Sequence, residues 1–147
     1  MGGGVIIDDF NNDGYLDIIT SSWGLEDNMH YYRNNKNGTF TDVSEVSGIS
    51  KIKGGLNIIQ ADYNNDGYTD IFVLRGAWLR EFGRQPCTLL RNNGDGSFTD
   101  VTVESGLLTF GPTQTAVWGD FNNDGWLDLF VGKETVSMII RIRQNCL

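Results

Sequence analysis

Three stretches of the chain carry nearly the same nine residues: DFNNDGYLD at 9–17, DYNNDGYTD at 62–70 and DFNNDGWLD at 120–128. Each follows the pattern D-x-N-x-D-G-x-x-D, which sets side-chain oxygens at positions 1, 3, 5 and 9 and a glycine, tolerant of a sharp turn, at position 6. That is donor chemistry for a hard cation. Calcium takes six to eight oxygen ligands at about 2.3–2.6 Å, and a short loop with alternating donors and one backbone carbonyl can wrap it. The expected ligands of the first loop are Asp9, Asn11, Asp13 and Asp17 with the carbonyl of Tyr15. Those of the second are Asp62, Asn64, Asp66 and Asp70 with the carbonyl of Tyr68, and those of the third Asp120, Asn122, Asp124 and Asp128 with the carbonyl of Trp126. Up to three Ca²⁺ ions are thus expected. Magnesium suits such a loop less well, because it demands octahedral geometry and keeps several waters.

The charge distribution favours the same reading. The 147 residues hold 11 Lys plus Arg against 19 Asp plus Glu, a net charge of −8. Nine of those acids are the aspartates of the three loops, and without them the chain is close to neutral. Three like charges in one nine-residue turn repel one another unless a counterion is present. Asn-Asn-Asp-Gly is by itself a good turn sequence, and the acids of a single copy could be a solvated rim. Three copies in register, each with Asp at positions 1, 5 and 9, favour the ion. An EF-hand is excluded, because it needs a bidentate acid at position 12 and flanking helices. Position 12 is Thr20, Val73 or Val131.

The elements that must position these loops follow from the repeat. The copies begin 53 and 58 residues apart, and RNNKNGTFTDVSEVSGI from Arg33 is echoed by RNNGDGSFTDVTVESGL from Arg91. All five extra residues fall in one loop, within 75–87. Short β-branched and aromatic runs bounded by Gly, Asn and Asp predict strands at 5–7, 16–20, 30–33 and 39–43 in the first unit. The second unit has them at 56–61, 69–74, 88–91 and 97–101, and the third at 115–118, 127–131 and 138–143. Asn37-Gly38 and Asp95-Gly96 predict two-residue hairpin turns, and 42–48 and 100–106 have room for one helical turn each. The units are placed at 1–49, 50–107 and 108–147. Four-stranded antiparallel meanders repeating every fifty to sixty residues, with first strands apolar on both faces, predict the all-β class and the blades of a β-propeller. Two blades are complete and one is incomplete, which implies a segment of a longer propeller or copies that associate with one another.

The loops at 9–17, 62–70 and 120–128 resemble the calcium-binding signature of FG-GAP or VCBS-type repeats, the blades of integrin alpha-subunit propellers and of many bacterial surface proteins. The continuation RNN-x-x-G-x-F-T-D-V, from Arg33 and from Arg91, is similar to the family of cartilage acidic protein and its bacterial relatives. The resemblance implies that the loop joins the first and second strands of a blade and that its ions are structural. Integrin-type repeats often carry Asp at position 3, where all three loops here have Asn.

Other chemistry is sparse. The negative charge disfavours nucleic acid or an anionic membrane as partner, and no run approaches the eighteen apolar residues of a membrane span. The first residues, Met-Gly-Gly-Gly, show no targeting signal. Cys87 and Cys146 allow one disulfide at most and form no zinc or redox motif. His30, the one histidine, has no nucleophile motif near it, so no enzymatic activity is expected. Aromatics at loop position 2 (Phe10, Tyr63, Phe121) and position 7 (Tyr15, Tyr68, Trp126), with Trp23, Trp78 and Trp118, could stack on sugars, although rings at fixed repeat positions more often pack between blades. Trp78 in the variable loop, beside Arg75, Arg80 and Arg84, is the best site for a ligand-binding face. Two functions are therefore expected: a calcium-stabilised extracellular or cell-surface (periplasmic in a bacterium) adhesion or protein-interaction module, or a carbohydrate-binding, lectin-like propeller.

Overall fold

The runs rich in Ile, Val and aromatic residues pair as three consecutive antiparallel meanders. The computed structural model describes residues 3–24, 26–76, 85–108, 110–133 and 138–140. The first sheet has the order β1-β2-β3-β4, from β1 (Val5–Asp8), β2 (Asp17–Thr20), β3 (His30–Asn34) and β4 (Phe40–Asp42). The second repeats it with β5 (Asn57–Ala61), β6 (Asp70–Leu74), β7 (Thr88–Asn92) and β8 (Phe98–Asp100). The third has β9 (Thr113–Gly119), β10 (Asp128–Lys133) and β11 (Met138–Ile140), with β10 in the middle. Residues 141–143 of the last expected strand lie outside the described residues, as do Trp78, Arg80, Arg84 and Cys146. Cys87 is a free, buried thiol.

Two turns differ from expectation. β3 and β4 pair Asn34 with Phe40, and β7 and β8 pair Asn92 with Phe98, so five residues separate the strands rather than two. Positive φ falls on Lys36 and Gly38 and on Gly94 and Gly96, and not on Asn37 or Asp95. The reason is a side-chain turn. Asn37 Oδ1 accepts from the Thr39 amide (3.1 Å) and hydroxyl (2.6 Å), and Asp95 Oδ1 accepts from the Ser97 amide (2.9 Å) and hydroxyl (2.6 Å). Such local bonds give the backbone an alternative to a tight two-residue turn. After β4 the chain makes one helical turn, α1 (Ser44–Ser47), continued as a 3₁₀ turn at Ile49–Lys51. At the corresponding place after β8 there are only hydrogen-bonded turns, closed by Ser105 donating to the Val101 carbonyl (2.9 Å).

The sheets stack face on face, with first strands adjacent: β1 beside β5 and β5 beside β9. One core joins the first sheet to the second, with Ile6, Phe10, Ile19 and Tyr31 meeting Ile58, Ile71, Val73 and Leu90. The other joins the second to the third, with Tyr63, Phe72 and Leu89 meeting Ala116, Leu129 and Val131. The two are built from corresponding positions of the repeat. Phe10 meets Tyr31 and Phe98 edge-on at 6.0 and 6.1 Å, and Tyr63 stacks on Trp118 at 6.1 Å. Gly4 shows how closely the first strands approach, since a Cβ there would stand 2.6 Å from the Ile58 amide nitrogen.

Phe10 and Phe121 hold the same place in the repeat, yet Phe10 is fully buried and Phe121 is 72% exposed. Phe10→Ala should therefore destabilise the chain by about 3–5 kcal/mol through the cavity it leaves. Phe121→Ala at low protein concentration should change stability by less than about 0.5 kcal/mol. Urea denaturation of the two variants checks this; equal losses would mean that the two positions are not differently packed.

Candidate functional site

Each nine-residue loop connects the first strand of a sheet to the second, with position 9 as the first residue of β2, β6 or β10. The three loops share one backbone conformation. Position 4 is left-handed in each (Asn12 φ 58°, Asn65 φ 57°, Asn123 φ 57°), and so is the glycine at position 6 (Gly14 φ 85°, Gly67 φ 88°, Gly125 φ 86°). Asparagine tolerates this region better than other non-glycine residues, which accounts for its presence at position 4.

The acids fold the loop around themselves. Asp9 accepts from the amides of Asp13 (2.9 Å) and Gly14 (2.7 Å). Asp62 does the same for Asp66 (3.1 Å) and Gly67 (2.8 Å), and Asp120 for Asp124 (3.1 Å) and Gly125 (2.9 Å). The position-5 carboxylates of Asp13, Asp66 and Asp124 accept from the amides of Tyr15, Tyr68 and Trp126 at 2.9–3.0 Å. Asn11, Asn64 and Asn122 reach the position-5 carboxylate through Nδ2 at 3.3, 2.8 and 2.7 Å. Positions 1, 3 and 5 are thus brought together in all three loops. In the first loop Lys36 Nζ lies 3.3 Å from Asp13 Oδ2 and 4.7 Å from the centre of the Tyr15 ring.

Position 9 is turned inward. Asp17 is fully buried, accepting from the Asn34 amide (2.8 Å) and the Tyr31 hydroxyl (2.7 Å). Asp70, also buried, accepts from the amides of Asn92 (2.8 Å) and Tyr63 (3.2 Å), and Asp128 accepts from that of Phe121 (3.1 Å). Burial raises the pKa of Asp17 and pushes Asp70 up to about 7, with the neighbouring loop aspartates adding to the rise. Burial, then the hydrogen bond to Asp17, raises the Tyr31 phenol well above its ordinary value. Among the described residues no three Asp, Glu, His or Cys side chains stand together in a ready-made metal cluster. The donor set nevertheless fits a hard cation. Each oxygen of Asp9 and Asp62 has a second lone pair beyond the one its amide occupies, and so has Oδ1 of Asn11 and of Asn64, which accepts from the position-5 amide at 3.2 and 3.1 Å.

Sequence reasoning missed Asn34 and Asn92. The Asn92 amide group, buried, donates to the Phe10 carbonyl (2.8 Å) in the preceding sheet and to the Thr69 carbonyl (3.2 Å) in its own. The recurrence of Arg-Asn-Asn was the available signal. Phe10 and Tyr63 are buried between sheets, as rings at repeat positions usually are, whereas Tyr15 is 45% and Trp126 38% exposed. His30 stacks on Tyr32 at 5.9 Å and lies 3.4 Å from Asp42, whose carboxylate also takes the Ser44 hydroxyl. The serine hydroxyl thus donates to the acid, and the Ser44 oxygen accepts from the Tyr31 amide (2.9 Å), which fixes the chain after β4. Arg75 is buried, donating to the carbonyls of Lys53 (2.7 Å) and Pro86 (2.9 Å), and so ties together the segments on either side of β6.

The family model of the FG-GAP-like repeat matches residues 9–73 and 78–131. The chain belongs to the FG-GAP-like repeat family. The matches take in all three nine-residue loops. Over 88% of its length the chain is also similar to cartilage acidic protein 1 of Homo sapiens (28% identical), Mus musculus (27%) and Xenopus tropicalis (30%). It spans only 20% of the length of those relatives.

The raised pKa of Asp70 has a direct consequence for the metal-free protein. Its folded value, about 7, lies above the ordinary 3.8, so its stabilising contribution is complete below about pH 4 and is lost as pH rises through 7. In EDTA, raising the pH from 5 to 8 should cost the parent chain more stability than it costs Asp70→Asn, as read by urea denaturation. Parallel pH profiles would show that Asp70 does not titrate in this range.

Proposed function

We propose that each of the three loops binds one Ca²⁺ and that the chain is a calcium-stabilised, non-enzymatic interaction module acting outside the cell. The observation that carries this reading is the threefold recurrence of one strained loop conformation with oxygen donors gathered at positions 1, 3 and 5. A solvated rim would not need the same left-handed asparagine and the same carboxylate three times. Position 9 would join the ion through the carboxylates of Asp17, Asp70 and Asp128, and the carbonyls of Tyr15, Tyr68 and Trp126 would complete the set. A bound cation would also neutralise the repulsion among the loop aspartates.

Location follows from affinity. A loop with three carboxylates and one asparagine belongs in the ~10⁻⁴–10⁻³ M range typical of extracellular modules, which is useless at cytosolic calcium. No helix among the described residues is long and apolar enough to cross a membrane. The partner is proposed to be a protein at the cell surface. A glycan ligand, the other expectation, gains nothing from Phe10 and Tyr63, whose rings are buried.

The reading is tested by thermal melts in EGTA, in millimolar magnesium and in millimolar calcium, with Asp124→Ala alongside. At ~1 mM calcium and a Kd of ~0.1 mM each site adds roughly 1.4 kcal/mol, so three add about 4 kcal/mol. For a domain of this size that raises Tm by about ten degrees, and Asp124→Ala should lose about a third of the rise. A melt indifferent to calcium would reduce the loops to empty turns and remove the argument for an extracellular location. Lys36 sits at the first loop, where the second loop has Gly94, so the first site should be the weakest of the three. Calorimetric titration of Lys36→Gly should strengthen that site alone.

A further inference from the structure

Asn-Gly occurs twice in the chain, at Asn37-Gly38 and at Asn93-Gly94, once in each of the two hairpins that join third and fourth strands. In this dipeptide the glycine nitrogen can attack the asparagine side-chain carbonyl carbon, because no Cβ stands in the way. The fold treats the two sites differently.

At Asn93-Gly94 both reacting groups are held. The Gly94 amide donates to Asn92 Oδ1 (2.9 Å). The Asn93 carboxamide spans the hairpin, with Nδ2 donating to the Ser97 hydroxyl (3.0 Å) and Oδ1 accepting from the Thr99 hydroxyl (3.1 Å). Reaction there must first break hydrogen bonds at both groups. Asn37 and Gly38 are instead exposed, and the Gly38 amide meets no acceptor among the described residues. A Cβ on Gly38 would touch nothing within 4 Å, so the dipeptide lies in open space.

The carboxamide of Asn37 is also activated. Its Oδ1 accepts from the Thr39 amide (3.1 Å), which closes a small ring containing the Gly38 nitrogen and folds the carboxamide back towards it. The same oxygen accepts from the Thr39 hydroxyl (2.6 Å), whose own oxygen is taken by Asn35 Nδ2 (2.9 Å). Two donors on one oxygen stabilise the negative charge that develops there during attack on the carbon. The second hairpin already shows the product in place. Asp95 stands where Asn37 does and accepts from the Ser97 amide (2.9 Å) and hydroxyl (2.6 Å). The Ser97 hydroxyl, and then its amide, hold the Asp95 carboxyl below the usual carboxylate range. A carboxylate kept ionised in this way resists the same attack.

We propose that Asn37 deamidates spontaneously in the folded protein, with water as the second reactant, while the fold protects Asn93. The Gly38 nitrogen bonds to Cγ of Asn37 and passes its proton, through water, to Nδ2; the bond from Cγ to Nδ2 breaks and ammonia leaves. Water then opens the cyclic imide. Cleavage at Cγ gives an aspartate, with the partners that Asp95 shows; cleavage on the main-chain side gives isoaspartate, which lengthens the turn by one methylene. Either product adds one negative charge next to Lys36, whose ammonium lies 3.3 Å from Asp13 Oδ2. The proposal stands without the calcium reading.

It is tested by prolonged incubation of the chain at mildly alkaline pH, then proteolysis and mass spectrometry of the peptides that hold Asn37 and Asn93. In the folded chain Asn37 should convert about tenfold or more faster than Asn93, because hydrogen bonds must open first at the second site. In urea the two rates should converge. Thr39→Val, which keeps the amide and loses the hydroxyl, should slow Asn37 by about three- to tenfold in the folded chain and leave its rate in urea unchanged. An Asn37 that reacts no faster than Asn93 in the folded chain, or a difference that persists in urea, would overturn the proposal. A Thr39→Val rate equal to the parent's would overturn the part given to the hydroxyl.

Discussion

A four-stranded sheet whose first strand is apolar on both sides cannot bury itself, and everything else in this chain is arranged around that constraint. Ile58 and Ile59, adjacent in β5, point to opposite faces and enter different cores, one shared with the first sheet and one with the third. Covering both faces requires a neighbour on each side, and successive repeat units supply them. Stability is therefore a property of the contacts between units at least as much as of the units themselves. The turns, loops and short helical segment hold the sheets at the spacing those contacts need.

The loops serve the same end. Their position-2 rings, Phe10 and Tyr63, are driven into the cores on the far side, while their position-9 aspartates cap the start of the second strand from within. Asn92 then closes the join by gripping the carbonyl of Phe10 across the interface. The polar loop and the apolar core are thus one mechanical unit. A cation in the loop would stiffen the segment from which the interface ring projects, and this is the physical route by which calcium would stabilise the stack.

Carboxylates in such a loop have two sets of partners. Backbone amides satisfy them in the structure, and burial of Asp17 and Asp70 favours the protonated form. An ion would reverse that preference, since it favours the charged carboxylate over the neutral one.

The sequence alone determined the architecture, because the repeat is written in residue types that act locally. Asp and Asn at alternate loop positions, Gly at position 6 and β-branched runs at regular spacing predict meanders joined by oxygen-rich turns, and the strands fall where those runs are. The hairpins at 35–39 and 93–97 were misread because a side-chain oxygen, Asn37 or Asp95, outcompetes the tight turn that Asn-Gly and Asp-Gly otherwise favour. What only the tertiary structure decided is which of several identical-looking residues are covered. Phe10 and Phe121 are indistinguishable in the sequence pattern and opposite in exposure, and Asn34 and Asn92 differ only in whether a neighbouring carbonyl arrives. Burial depends on the unit packed alongside, and nothing within nine residues of a loop encodes that neighbour.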